Sequence, residues 1–194
     1  MRQIILASTS PRRKQLLEKM GFDFHVVVSD FAEYVDQTRP VEDMTVELAL
    51  GKAQTVAERY PEAIVIGSDT MVSIGTIQLG KPTDLADARR MWRLITSAPN
   101  KVTSSLAVVC KAQNYQHVVY DNAWVYLKPY DHAAVEAYLA TGDYTDKAGA
   151  YAIQNARHLL DHIEGNETTI IGLPTHLLAN VLTQNFNPKT YKNL

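Results

Sequence analysis

The sequence holds a single cysteine, Cys110, among its 194 residues. That count excludes an internal disulfide and any thiolate-rich metal site. Cys110 lies in "SLAVVC" and reads as a small buried apolar residue rather than a catalytic thiol. Excess charge of one sign is equally scarce. Nineteen Lys and Arg face 21 Asp and Glu, leaving a formal net charge of −2 and a pI near 6.3. There is thus no global basic field to hold a nucleic-acid polymer, and aromatic and basic residues do not interleave as a single-strand binder needs. Anion binding must come from local clustering. No segment reaches the roughly 18 apolar residues of a membrane span, and the apolar run in "MRQIILAS" is too short for a signal peptide. A soluble cytoplasmic protein without a membrane partner is expected. The Gly-Lys-Ser/Thr pattern of a P-loop is missing. The six histidines suggest no zinc site. His158 and His162 have the i, i+4 spacing of a helical ligand pair, but "LLDHIEG" reads as a strand that would hold them roughly 13 Å apart. No Ser-His-Asp arrangement is legible from spacing.

What is present is a chain 46% hydrophobic, able to bury a core as one domain over 1–194, or as one domain with two lobes. No repeat, low-complexity tract or linker divides it. "QIILAS" is a buried strand. It feeds a helix over "SPRRKQLLEKM", with Ser10 as N-cap, Pro11 in the first turn, Leu16, Leu17 and Met20 inward, and Gly21 as the stop. "FHVVVSD" reads as a strand and "MTVELALGKAQTVAERYP" as a long helix, with Val46, Leu50, Ala53 and Ala57 near one face and Gly51 weakening its middle. "AIVIG" is a strand expected to stop at the polar "SDT". "TDLADARRMWRLI" is a helix, and "KVTSSLAVVC" and "HVVYDNAWVYL" form an antiparallel pair turning near Gln113 and Asn114. A helix capped near Asp131 and closed by Gly142 precedes the small-residue loop "DKAGAYAIQ". "LLDHIEG" and "TTIIG" are read as short strands, and "PTHLLANVLTQNF" as the final helix. Alternating strands and helices with a hairpin indicate an α/β fold built on a mixed β-sheet flanked by helices.

Chemistry concentrates in a few places. Arg12 and Arg13 stand in the first turn of a helix, where positive charge opposes the positive dipole end. A strand entering a helix N-terminus presents free N–H groups, Ser8, Thr9 and Ser10 add hydroxyls, and the arginines add planar forks suited to phosphate. The alternative is a solvated face whose arginines pair with surface carboxylates. Asp69, read as lying just beyond a strand, can activate water or hold a divalent cation, or simply cap a turn. Glu33 is a second metal-side carboxylate or an ordinary surface residue. Lys52 and Lys81 can deliver point charges to phosphates, although lysines are more often surface groups. In "DKAGAYAIQ", Gly149 and Ala150 permit close backbone approach to a ligand, and Asp146, Lys147 and Gln154 offer polar contacts. An ordinary connecting loop is the other reading.

Taken together and in order, "LASTSPRRKQLL", "GSDT", "GKP", "DKAGAYAIQ" and "IIGLP" resemble the Maf family of nucleoside triphosphate pyrophosphatases. The match runs from Leu6 to Pro174. Within the family the chain is similar to the branch acting on dTTP and UTP, through Arg12, Thr70 and Gln154. The branch acting on 7-methyl-GTP has Trp, Gln and Glu at those points. The resemblance implies two lobes with a central cleft and, in many members, a homodimer. It implies attack of water at the α-phosphorus, releasing a monophosphate and pyrophosphate with a divalent metal, Mg²⁺ or Mn²⁺. It makes Asp69 the general base. It assigns Ser8, Arg13, Glu33, Lys52 and Lys81 to triphosphate and metal handling, with Glu33 and Asp69 on the metal, and Ser10 belongs to the same phosphate-facing turn. The chain departs from the family pattern in "TSAPNKVTSS", which lacks the usual Gly and His. It departs again at Ala152 and Asn155, where glycines are usual. A nucleotide-sensing binding protein linked to cell division, with weak hydrolysis, is the alternative function. The intact Asp69, Lys52 and Lys81 set favours the enzyme.

Overall fold

The structure, a computed structural model, describes residues 2–187. The chain opens with β1 (Ile4–Leu6), α1 (Pro11–Lys19) and β2 (Phe24–Val26). Both strands are parallel neighbours, with Ile4 opposite Phe24. Ser10 caps α1 by accepting the Arg13 amide at 3.5 Å, Pro11 occupies the first turn, and Gly21 ends the helix at φ 77°. A side chain at such a φ would be strained, so glycine is the natural stop. The second strand is shorter than expected. It closes at Val26, and Val28 is exposed.

Next come α2 (Val41–Arg59), β3 (Ile64–Ile74), β4 (Ile77–Leu79), α3 (Leu85–Ile95), β5 (Asn100–Cys110) and β6 (Tyr115–Leu127). The chain ends with α4 (His132–Ala140), β7 (Leu160–Glu164), α5 (Glu167–Ile171) and α6 (Thr175–Asn185). One mixed sheet orders its strands β2-β1-β3-β5-β6-β7, with β4 paired to β3. The β1–β3 pair is parallel, and the β3–β4 and β6–β7 pairs are antiparallel.

Three further expectations differ from the structure. The strand begun by "AIVIG" does not stop at "SDT". It continues to Ile74, so Asp69 lies inside β3 rather than beyond it. The polar run looks like a strand end, but Ser68 is fully buried and its hydroxyl donates to the Gly172 carbonyl at 2.8 Å. A satisfied hydroxyl carries no burial penalty and need not end a strand. "TTIIG" is not a strand but α5. Gly165 turns the chain at φ 93°, and the Thr169 and Ile170 amides both donate to the Asn166 carbonyl. Those local bonds override the β-propensity of the Thr and Ile side chains. Finally, α2 starts at Val41, and its buried face is Val41, Met44, Leu48, Ala49, Ala53, Val56 and Ala57. Val46 and Leu50 are only half-buried.

The chain divides into two compact units, one of Met1–Asp69, Ser104–Asp121 and Gly172–Leu194, the other of Thr70–Thr103 and Asn122–Ile171. In the first, Ile5 and Ala7 pack with Ala49, Ala53, Val56 and Ala57 of α2, Val65 of β3, and Ala107 and Val109 of β5. Alanines on α2 let the helix lie close to the strands. In the second, fully buried Trp92 of α3 centres the core. The Tyr138 and Tyr151 rings meet it edge-on, with centroids 5.2 and 6.1 Å away, a geometry that adds to area burial. No helix among the described residues is long and apolar enough to cross a membrane. Cys110 is buried, as expected.

Candidate active site

The first unit gathers an acid–base cluster around one lysine. Lys52, in the middle of α2, places its ammonium 2.6 Å from Asp69 Oδ1 and 3.0 Å from Glu33 Oε1. The Lys52 and Asp69 side chains are each 11% exposed and Glu33 is 53% exposed. The close approach of α2 to β3 that allows this has a local cause at Gly67. A Cβ added there would lie 2.2 Å from the Ala49 carbonyl oxygen and 2.9 Å from the Ala53 side chain. Only glycine lets the strand come this near the helix, and Asp69 follows two residues later. Asp69 and Lys52 are therefore registered by packing rather than by sequence spacing.

The N-terminus of α1 supplies the cationic part. Ser8 is nearly buried, and its hydroxyl oxygen accepts from the Ser10 amide at 3.2 Å and from Arg13 Nη1 at 3.3 Å. Arg13 Nε donates to the Gly172 carbonyl at 2.8 Å. Burial pulls the Arg13 guanidinium below its ordinary value, Asp69 counters this, Arg12 adds repulsion and Glu33 adds attraction. Asp69, Arg12 and Glu33 thus all act electrostatically on one guanidinium. The solvated-face alternative does not describe Arg13, which is half-buried and tied down by a carbonyl 159 positions away. An arginine oriented in this way is suited to planar, bidentate recognition of a phosphate.

The second unit holds Thr70, Lys81 and Gln154. Thr70 continues β3 directly after Asp69, while Lys81 and Gln154 are exposed. The "GKP" and "DKAGAYAIQ" segments meet there. The Gly149 amide donates to the Gly80 carbonyl at 3.0 Å, so the residue before Lys81 is fastened to the small-residue loop. That loop contains a 3-10 turn at Ala148–Ala150. Ala150 takes a left-handed φ of 61°, unusual for a residue with a Cβ. It is held by its own amide bond to the Lys147 carbonyl at 3.0 Å and by Trp92 Nε1, which donates to its carbonyl at 3.1 Å. Lys147 pairs with Asp146, and the Ala152 amide donates to the Tyr138 hydroxyl at 2.9 Å.

Residues 3–185 match the sequence model of a family described as Maf-like protein. The chain belongs to the Maf family. It is 36% identical over 185 residues to a protein of Bacillus anthracis (strain CDC 684 / NRRL 3495) named dTTP/UTP pyrophosphatase, spanning 95% of this chain and 96% of the relative. A protein of the same name from Symbiobacterium thermophilum is 37% identical over 185 residues, spanning 95% and 94%. Among solved structures the chain is similar to the Staphylococcus aureus Ham1 protein, with a TM-score of 0.53 at 11% identity, covering 95% of this chain and 100% of that one. At that identity the likeness is one of fold, here the mixed sheet flanked by helices.

Within this Maf protein the structure brings Ser8, Ser10, Arg13, Glu33, Lys52 and Asp69 together in the first unit, with Arg12 in the same turn as Arg13. Thr70, Lys81 and Gln154 belong to the second unit. Two contributors carry no signal of their own in the sequence. One is the Gly172 carbonyl, which accepts from both Arg13 and Ser68 at 2.8 Å. The other is Gly67, whose missing side chain admits α2. A backbone acceptor and an absent Cβ leave no side-chain pattern to read.

Proposed function

We propose that this Maf protein is a nucleoside triphosphate pyrophosphatase, a single domain over 1–194 that hydrolyses dTTP and UTP to the monophosphate and pyrophosphate. The observation carrying this reading is the Lys52 ammonium between Asp69 and Glu33, beside the arginine- and hydroxyl-bearing N-terminus of α1. The names of its relatives agree with it.

In this reading Asp69 accepts the proton of the attacking water, and Lys52 holds that carboxylate in place while adding positive charge for the phosphates. Arg12, Arg13, Ser8 and Ser10 grip the triphosphate, and Lys81 supplies a further point charge. Thr70 and Gln154 select the base. Positioning and preorganised charge carry most of the rate enhancement. The donor set fits Mg²⁺ or Mn²⁺. Asp69 and Glu33 converge within 3.0 Å of a single cationic atom, and ions of this kind need only one or two carboxylates when substrate phosphates complete the shell. Such an ion, when bound, neutralises charge on the phosphate oxygens.

The test is product analysis with Mg²⁺ or Mn²⁺ over a panel of standard and modified nucleoside triphosphates. UTP and dTTP are expected to give the monophosphate and pyrophosphate in equal amounts. Primary formation of UDP and orthophosphate sinks the reading, and tight nucleotide binding without turnover transfers it to the sensor alternative.

A further inference from the structure

Glu33 sits on a stretch with no regular structure between β2 and α2. The stretch is tied near its ends, where the Val27 amide donates to the Leu6 carbonyl, Arg59 donates to the Val28 carbonyl at 2.8 Å and Arg39 pairs with Glu47 of α2, while residues 32–35 are exposed. Tyr34 is 74% exposed and Val35 45% exposed, and Ala32 is exposed as well. The Glu33 side chain is 53% exposed while Lys52 is 11% exposed, so water screens the carboxylate end of the pair and leaves room for a second contact to fix the loop.

Of the half-buried residues in this stretch, Val27, Ser29, Phe31, Asp36 and Arg39, the one nearest to Glu33 along the chain is Phe31. Its ring lies on α2 at Gly51. A Cβ built at Gly51 would stand 2.4 Å from two ring atoms and 2.7 Å from a third, far inside van der Waals contact. The ring fills the space an alanine methyl would take, one residue before Lys52 on the helix and two before Glu33 on the loop. The Phe31 amide also donates to the Ser29 hydroxyl at 3.1 Å, which turns the chain toward the helix. A glycine in the interior of α2 is unfavourable for the helix, and this contact is what it makes possible.

We infer that Phe31, seated in the notch at Gly51, is the positioning residue that holds Glu33 against Lys52. Gly51 is the other half of the same device. The inference deepens the proposed function, since it names what sets one of the two carboxylates in that site. Filling the notch or removing the ring should release the loop by the same route. Gly51→Ala pushes the ring off the helix, and Phe31→Ala removes it. Both then act on the reaction only through Glu33.

The full-length chain is compared with Gly51→Ala, Phe31→Ala, Glu33→Gln and the two double variants carrying Glu33→Gln. Hydrogen exchange of residues 29–36, without nucleotide or metal, is expected to quicken about tenfold or more in Gly51→Ala and Phe31→Ala. The melting temperature of Gly51→Ala should not fall, because alanine favours the helix. Mn²⁺ binding, followed by loss of the free-ion EPR signal, should weaken in both variants and in Glu33→Gln. For UTP, kcat/KM should fall about tenfold in each of the two variants, and neither should lose more than twofold further when Glu33 is already Gln. Unchanged exchange in both variants overturns the inference, as does a full tenfold loss persisting in the Glu33→Gln background. Should the unaltered chain hydrolyse neither UTP nor dTTP, the proposed function fails by itself, and exchange together with Mn²⁺ binding still decides the placement of Glu33.

Discussion

Asp69 and Lys52 form a pair of mostly buried charges, and their removal should have unequal consequences. At the observed 2.6 Å the attraction is about 6 kcal/mol at an effective dielectric of about 20, and about 1.6 kcal/mol in water. Desolvation offsets much of the larger figure. Asp69→Asn leaves the Lys52 ammonium with Glu33 3.0 Å away, so its charge remains compensated and the fold is expected to survive. Asparagine cannot accept the proton from water, however, and loss of a general base lowers the rate about 10²–10⁴-fold. Lys52→Met is different. It takes the direct 2.6 Å partner from the Asp69 carboxylate, 8% exposed, leaving Glu33 as a like-charged neighbour and the longer-range attraction of Arg13. Breaking a buried pair in this way costs about 3–5 kcal/mol. We therefore expect Asp69→Asn to be inactive and nearly as stable as the unaltered protein, and Lys52→Met to be inactive and clearly less stable. The double variant should recover stability relative to Lys52→Met, since no stranded charge remains. Pyrophosphate release with UTP measures the first effect and urea unfolding the second. Near-normal turnover in folded Asp69→Asn would refute its role as base, and a Lys52→Met variant as stable as Asp69→Asn would refute the electrostatic reasoning.

Other outcomes are equally open to measurement. Gln154→Glu is expected to lower kcat/KM for UTP and dTTP by about 1–3 kcal/mol. An ionised carboxylate can only accept, so one of its oxygens would face the O4 acceptor of the base. Gln154 is exposed in the free protein, so the effect should appear in substrate discrimination and not in stability, and an unchanged UTP-to-GTP ratio rules out base reading by this residue. Gly67→Ala should destabilise the protein by about 1–3 kcal/mol through overpacking, because the new Cβ meets a backbone oxygen at 2.2 Å; unfolding at the same urea midpoint would show that α2 withdraws freely. In the second unit, Arg89 holds the Glu136 carboxyl below its ordinary value through two 2.7 Å hydrogen bonds. A carboxyl lowered in the folded state contributes stability that is present above its unfolded pKa and lost as the pH falls through the folded one. Arg89→Met should thus reduce stability at neutral pH and flatten the acid limb below the ordinary 4.5 of a glutamate. Identical acid melting curves would show that the pair is silent.

Legibility in the sequence followed range. Ser10, Pro11 and Gly21 determine the bounds of α1 because capping, ring-fixed φ and left-handed φ act within one turn. The β-branched apolar runs determine most strands, and the hairpin of β5 and β6 follows from a four-residue connection at 111–114. The cationic turn at Ser8–Arg13 stood out without any partner, because charges that oppose a helix dipole are a local anomaly. The ordered motifs also sufficed to identify the family and to mark out Asp69, Lys52 and Glu33 as candidates.

What the tertiary structure alone decided is which of these groups touch. Lys52 and Asp69 are 17 positions apart and Arg13 and Gly172 are 159 apart, and no propensity or period reports such distances. Contact depends on how nearly a helix can approach a strand, which at Gly67 turns on the absence of one methyl group. The same holds for Ser68, whose polar side chain looked like a strand end until the Gly172 carbonyl satisfied it inside the sheet. It holds for "TTII" as well, where bonds to the Asn166 carbonyl prevailed over side-chain preference. Sequence acts directly over a few residues, where sterics and local hydrogen bonds are fixed by neighbours. Beyond that range the geometry is set by close packing and by which buried polar groups find partners, and both exist only once the chain is folded.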